Sequence, residues 1–112
     1  MNVGVYSTRI EDARSIGGVL TEAARIDLAS GISNLDVFLI GRPGTHTVTA
    51  YYDVNTTGTM TPLGSAIAVP AAWFATATAS TNASLTGLMV SHGTAARMAF
   101  VYDFFRIDRS VP

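Results

Sequence analysis

The stretch His46-Thr47-Val48-Thr49-Ala50-Tyr51-Tyr52-Asp53-Val54 decides the reading of the fold, because its side chains alternate with a period of two. In an extended chain Val48, Ala50, Tyr52 and Val54 fall on one face, and Thr47, Thr49, Tyr51 and Asp53 on the other. β-Branched and aromatic residues in this alternation fit a pleated, half-buried strand. Upstream, Leu35-Asp36-Val37-Phe38-Leu39-Ile40 reads as a second strand, ended by Gly41-Arg42-Pro43-Gly44, whose glycines and proline suit a turn. The two strands predict a hairpin around Arg42–Thr45.

Working outward, Asn55-Thr56-Thr57-Gly58 is a polar turn. Met60–Val69 predicts a strand that begins after Pro62, since proline is confined to strand starts and edges. Pro70–Ala75 breaks the alternation as a bend or short helical turn, and Thr76–Thr81 reads as a loop. Ser84–Val90 and Ala96–Asp108 predict two closing strands joined across Ser91–Thr94. On the N-terminal side Val3–Ile10 reads as one strand. Glu11–Arg25 admits two readings: a helix, with Val19, Leu20, Ala23 and Ala24 at helical spacing, or a strand pair bent at Gly17-Gly18. The β-reading is favoured, because two adjacent glycines weaken a helix. Short strands with turn signals every 8–12 residues or so predict an all-β, antiparallel β-sandwich or jelly roll. At 112 residues the chain is expected to form a single domain, residues 1–112.

The composition narrows the function classes. Charged residues make up 13% of the chain, against about 25% in an ordinary soluble domain. All seven cations are arginine, and the net charge is −1 with no basic block, so nucleic-acid binding is not expected. The absence of cysteine removes disulfides, thiolate metal sites and cysteine nucleophiles together. Apolar runs are far shorter than the roughly 20 residues of a membrane-spanning helix, so membrane insertion is not expected. Met1-Asn2-Val3-Gly4 does not open a secretory signal pattern of charge followed by an apolar run. Sparse charge and abundant Ala, Thr, Ser and Gly suit an extracellular, cell-surface or virion-surface β-protein, part of whose surface is covered in the working state.

From about Leu35 to its end, the chain resembles the second half of a concanavalin A-like (laminin G-like) jelly roll. Phe38-Leu39-Ile40-Gly41-Arg42-Pro43-Gly44 followed by Val48-Thr49-Ala50-Tyr51-Tyr52-Asp53 resembles a strand, turn and strand of such modules. Pro62-Leu63-Gly64-Ser65 resembles the return strand, and Leu85–Val90 with Phe100–Ile107 resembles the closing pair. Met60 stands where that return strand often carries tryptophan, and the chain is short for the family's full complement of strands. The resemblance therefore implies a truncated jelly roll, completed by further copies of itself or by another protein chain, because a half-sandwich leaves edges and an apolar face exposed. It also implies a carbohydrate-binding, lectin-like role as the alternative to a structural one.

No catalytic constellation accompanies this pattern. Ser91, His92 and Asp103 could be written as a triad, but adjacent Ser91 and His92 point in different directions and no oxyanion-hole glycines accompany them. The acids lack the spacing that would hold two carboxylates about 5–10 Å apart across a cleft, as glycoside hydrolysis requires. Asp53-Val54-Asn55-Thr56-Thr57-Gly58 matches the opening of a calcium loop, with Asp53, Asn55 and Thr57 as candidate ligands. The twelfth position, where a bidentate Glu belongs, is Gly64, and the same hexamer describes a turn. No cofactor is expected, with calcium the one candidate. For a glycan, the candidate residues are Tyr51, Asp53, Asn55 and Trp73: aromatic planes beside polar side chains. The expected function is a non-catalytic structural or assembly subunit, homo-oligomeric or bound to another chain, with the lectin-like module as the alternative.

Overall fold

The computed structural model describes residues 1–6, 9–30, 32–74 and 106. The chain divides into two compact units, Met1–Thr76 and Ala77–Pro112, and all the described strands belong to the first. The closing strands expected at Ser84–Val90 and Ala96–Asp108, and the loop at Thr76–Thr81, lie outside the described residues, apart from Arg106.

The first unit is all-β: two antiparallel sheets packed as a sandwich. Strands β1 (Asn2–Val5), β2 (Arg9–Ile16) and β3 (Val19–Asp27) form the first sheet in sequence order. The strand expected over Val3–Ile10 is therefore two strands. The Tyr6 amide donates to the Arg9 carbonyl at 2.8 Å, and β2 runs back antiparallel along β1 from Val5–Ile10 onward. Glu11–Arg25 is a strand pair, as the glycines favoured. Ile16 pairs with Val19, and Gly17 and Gly18 take φ of 58° and 80° between them. Two successive left-handed residues make the hairpin turn whose twist matches that of the strands, and glycine adopts them without steric cost.

The helix-like spacing of Val19, Leu20, Ala23 and Ala24 has a different cause. Asp12 pairs with Ala24 and Ala13 with Glu22, which leaves Ala23 as the extra residue of a β-bulge. The bulge breaks the two-residue period, so the alternation that marks a strand in sequence is lost there.

The second sheet is the hairpin β4 (Leu35–Arg42) and β5 (Thr47–Val54), paired from Leu35–Val54 to Arg42–Thr47. The strand expected after Pro62 differs in two ways. β6 (Thr61–Pro62) includes the proline, paired with Tyr51, and β7 (Ile67–Ala68) pairs separately with Thr47 and Val48. Gly64, at φ 75°, and Ser65 break the run between them. Both short strands lie on the same edge of β5, where a proline costs little pairing. A 3-10 turn, Ala71–Phe74, follows.

Ile10, Ala50 and Leu63 are fully buried between the sheets, with Val3, Ala24, Ile26, Leu35, Val37 and Tyr52 packed around them. Ala50 and Tyr52 thus occupy the core face that alternation assigns them. Burying a side chain the size of Ile10 or Leu63 contributes about 1.5–3 kcal/mol. The opposite face of β5 is less open than a polar face should be: Thr49 is 7% exposed and Asp53 4%.

Candidate interaction surface

Strand β3 is paired on one side only among the described residues, to β2. The far half of the β2–β3 hairpin is exposed on both of its faces, from Ser15 to Ala23. At its tip Val19 is 67% exposed, Leu20 69% and Ile16 42%. Apolar side chains of this size in one exposed cluster, on an arm that reaches beyond the core, mark an interaction surface. Sequence alternation could not show this, because Ile16, Val19 and Leu20 have the same residue types as core strands.

Register fixes which charges accompany the arm. Ile10 faces the core, so Glu11 faces outward. Arg25 pairs with Glu11 and Glu22 pairs with Ala13, two residues further along β2, so Glu22 and Arg25 share the outer face. Their side chains lie 3.8 Å apart and are about half exposed. Arg9 bonds Glu11 at 3.1 Å on the same face, and its guanidinium stands 4.2 Å over the Tyr6 ring. The Tyr6 ring also covers Gly4, where a Cβ would sit 3.0 Å from Tyr6 Cε2. Hydrogen bonding from the Tyr6 phenol, then from Arg9, holds the Glu11 carboxyl below the usual carboxylate range, and Glu11 in turn raises the phenol. On the inner face Arg14 donates to the Ala68 carbonyl and ties the root of the arm to the second sheet.

Asp12 has an unusual setting. It is fully buried between the sheets, and neither carboxyl oxygen has a well-aligned hydrogen bond among the described residues. Burial pushes its pKa upward, against the weaker pull of the Ala24 and Asp12 backbone amides and with the charge of Glu22 adding to the rise.

The residues chosen from sequence as glycan or calcium candidates fall in two places. Asp53 Oδ1 accepts the Thr57 amide at 2.9 Å and the Thr57 hydroxyl at 2.7 Å, while Oδ2 accepts the Gly58 amide at 2.7 Å. These bonds, the Thr57 hydroxyl foremost, hold its pKa below the ordinary value. Asn55 Oδ1 accepts the amide and hydroxyl of Ser33, and the Asn55 amide donates to the Asn34 carbonyl at 2.8 Å. Both side chains thus brace the loop after β5 and the connection into β4. Tyr51 shares its strand face with Asp53 and pairs with Phe38 and Pro62. Trp73 belongs to the other end of β5: the neighbouring Phe74 ring covers Gly41, the partner of Val48. Val48 and Asn55 are seven residues apart, about 23 Å at the rise of a strand. Tyr51 and Asp53 therefore share one strand face, while Asn55 and Trp73 belong to opposite ends of β5.

Among the described residues no group of three or more His, Asp or Glu side chains could hold a metal ion. No described helix is long and apolar enough to cross a membrane. An open cavity of about 270 Å³ lies between the end of β1 and the connection into β4, with Tyr6, Ser30, Ser33 and Asn34 as its polar lining.

The class that fold and surface define is a small antiparallel β-sandwich bearing a projecting, apolar-tipped hairpin. Comparison with protein-family models, with curated proteins and with solved structures returns no match.

Proposed function

We propose that this protein is a non-catalytic structural subunit, which works by packing against other chains in an extracellular, cell-surface or virion-surface assembly. The observation that carries the reading is the β2–β3 arm, whose tip holds Ile16, Val19 and Leu20 in solvent. Covering the part of each side chain that is still exposed would contribute about 1–2 kcal/mol, so a monomer that leaves all three in solvent forgoes several kcal/mol. The low charge content and the absence of lysine point the same way, since lysine and dense charge are what keep free β-edges apart.

A concanavalin A-like lectin role would need the candidate glycan residues to converge. Asp53 and Asn55 have their carboxylate and carbonyl oxygens engaged within the fold, and Trp73 lies at the far end of β5, so the assembly reading is preferred.

Light scattering coupled to size-exclusion chromatography tests it. Oligomers are expected for the full chain, and the triple variant Ile16→Ser, Val19→Ser, Leu20→Ser is expected to shift them towards the monomer without loss of the β-sheet circular dichroism spectrum. A monomer mass for the unaltered chain at every concentration tested would remove the reading of self-association.

A further inference from the structure

We infer that the partner of the arm is a second copy of this chain, joined edge to edge through β3 in an antiparallel pairing about a two-fold axis at Ala24. The inference rests on the assembly reading above and names its partner and register.

An antiparallel strand pair related by a two-fold axis sets equal numbers of residues on each side of that axis, and residues that oppose one another must share a sheet face. In an unbroken strand, residues three apart lie on opposite faces and cannot oppose each other. The bulge changes this: with Ala23 as the extra residue, Glu22 and Arg25 become the two flanks of Ala24 and lie on the same outer face. Two copies of β3 so arranged place Glu22 of each opposite Arg25 of the other, so one strand supplies both halves of two cross-strand ion pairs. The same register sets Thr21 opposite Ile26 and exposed Leu20 opposite Asp27, the last residue of β3. Glu22 and Arg25 are about half exposed in the single chain and available for exchange. Opposite charges on facing positions stabilise a strand pair, and like charges there oppose it. The bulge and the charges, which at an edge usually hinder pairing, here select one self-complementary register.

Charge reversal in the full chain tests this through a pattern that no folding defect reproduces. Glu22→Arg alone sets Arg opposite Arg in the dimer, and Arg25→Glu alone sets Glu opposite Glu. Each variant is expected to self-associate about tenfold or more weakly than the unaltered chain. An equimolar mixture of the two restores both ion pairs, and so does Glu22→Arg combined with Arg25→Glu in one chain; both are expected to recover the dimer. Light scattering reads the masses, with circular dichroism confirming that each variant is folded. If both single variants associate as tightly as the unaltered chain, or if the mixture stays monomeric, the β3 register is wrong although oligomers of the unaltered chain keep the assembly reading. A monomeric unaltered chain overturns both.

Discussion

Gly64 lies so close to Ala24 across the sandwich that a Cβ added at Gly64 would stand 2.5 Å from the Ala24 Cβ. Gly64 also holds φ at 75°, a region in which side chains are disfavoured. The close approach lets the second sheet turn between β6 and β7 directly over the bulged part of β3.

Gly64→Ala should therefore destabilise the fold for two reasons, overpacking and backbone strain, by about 2 kcal/mol or more together. Thermal unfolding followed by circular dichroism checks this. Adding Ala24→Gly removes the steric part only, so the double variant should recover some of the loss and keep the backbone part.

Thr56 carries the opposite lesson. It sits at φ 52° directly after Asn55 at φ 60°, and a β-branched residue is poorly suited to that conformation. Thr56→Gly creates the Asn-Gly pair that such turns favour, and stability should rise by about 1 kcal/mol. An unchanged or lower midpoint in denaturant titration would show that the Thr56 side chain compensates its own strain.

Asp12 is a carboxyl whose folded pKa is raised by burial. Such a group favours the folded state while protonated. Its contribution is complete below the ordinary carboxylate pKa, and is lost as pH rises through the raised folded value. Asp12→Asn keeps the shape and removes the charge, so the variant should be more stable than the unaltered chain at neutral pH, by on the order of 1 kcal/mol. The difference should shrink towards acid pH. Equilibrium unfolding at a series of pH values shows the sign directly.

Asp53 behaves in the reverse sense. Its folded pKa is lowered by the Thr57 hydroxyl and the loop amides, so it stabilises the fold above the ordinary carboxylate pKa, and that contribution fades as pH falls through the folded value. Asp53→Ala should lower the melting temperature at neutral pH and make little difference in strong acid. A loss of equal size at both extremes would mean that packing, and not the ionised carboxylate, holds the loop.

The β-class and the local turns of this protein are legible in its residues taken in order. Alternation at residues 46–54 marks β5, and paired glycines at 17 and 18 supply the dihedrals of a tight hairpin, because both are properties of neighbouring residues. Features that depend on residues distant in the chain emerge only once the sheets pack. The bulge at Ala23 exists because β3 must match β2, and it moves Glu22 and Arg25 onto one face although their spacing says otherwise. Asp53 and Asn55 look like ligands in sequence, yet Thr57, Gly58 and Ser33 use their oxygens once the loop closes. Exposure of Val19 and Leu20, burial of Asp12 and the contact of Gly64 with Ala24 follow from how one sheet covers the other. Residue type sets the preference for burial, but the neighbour brought across the sandwich decides whether it is met.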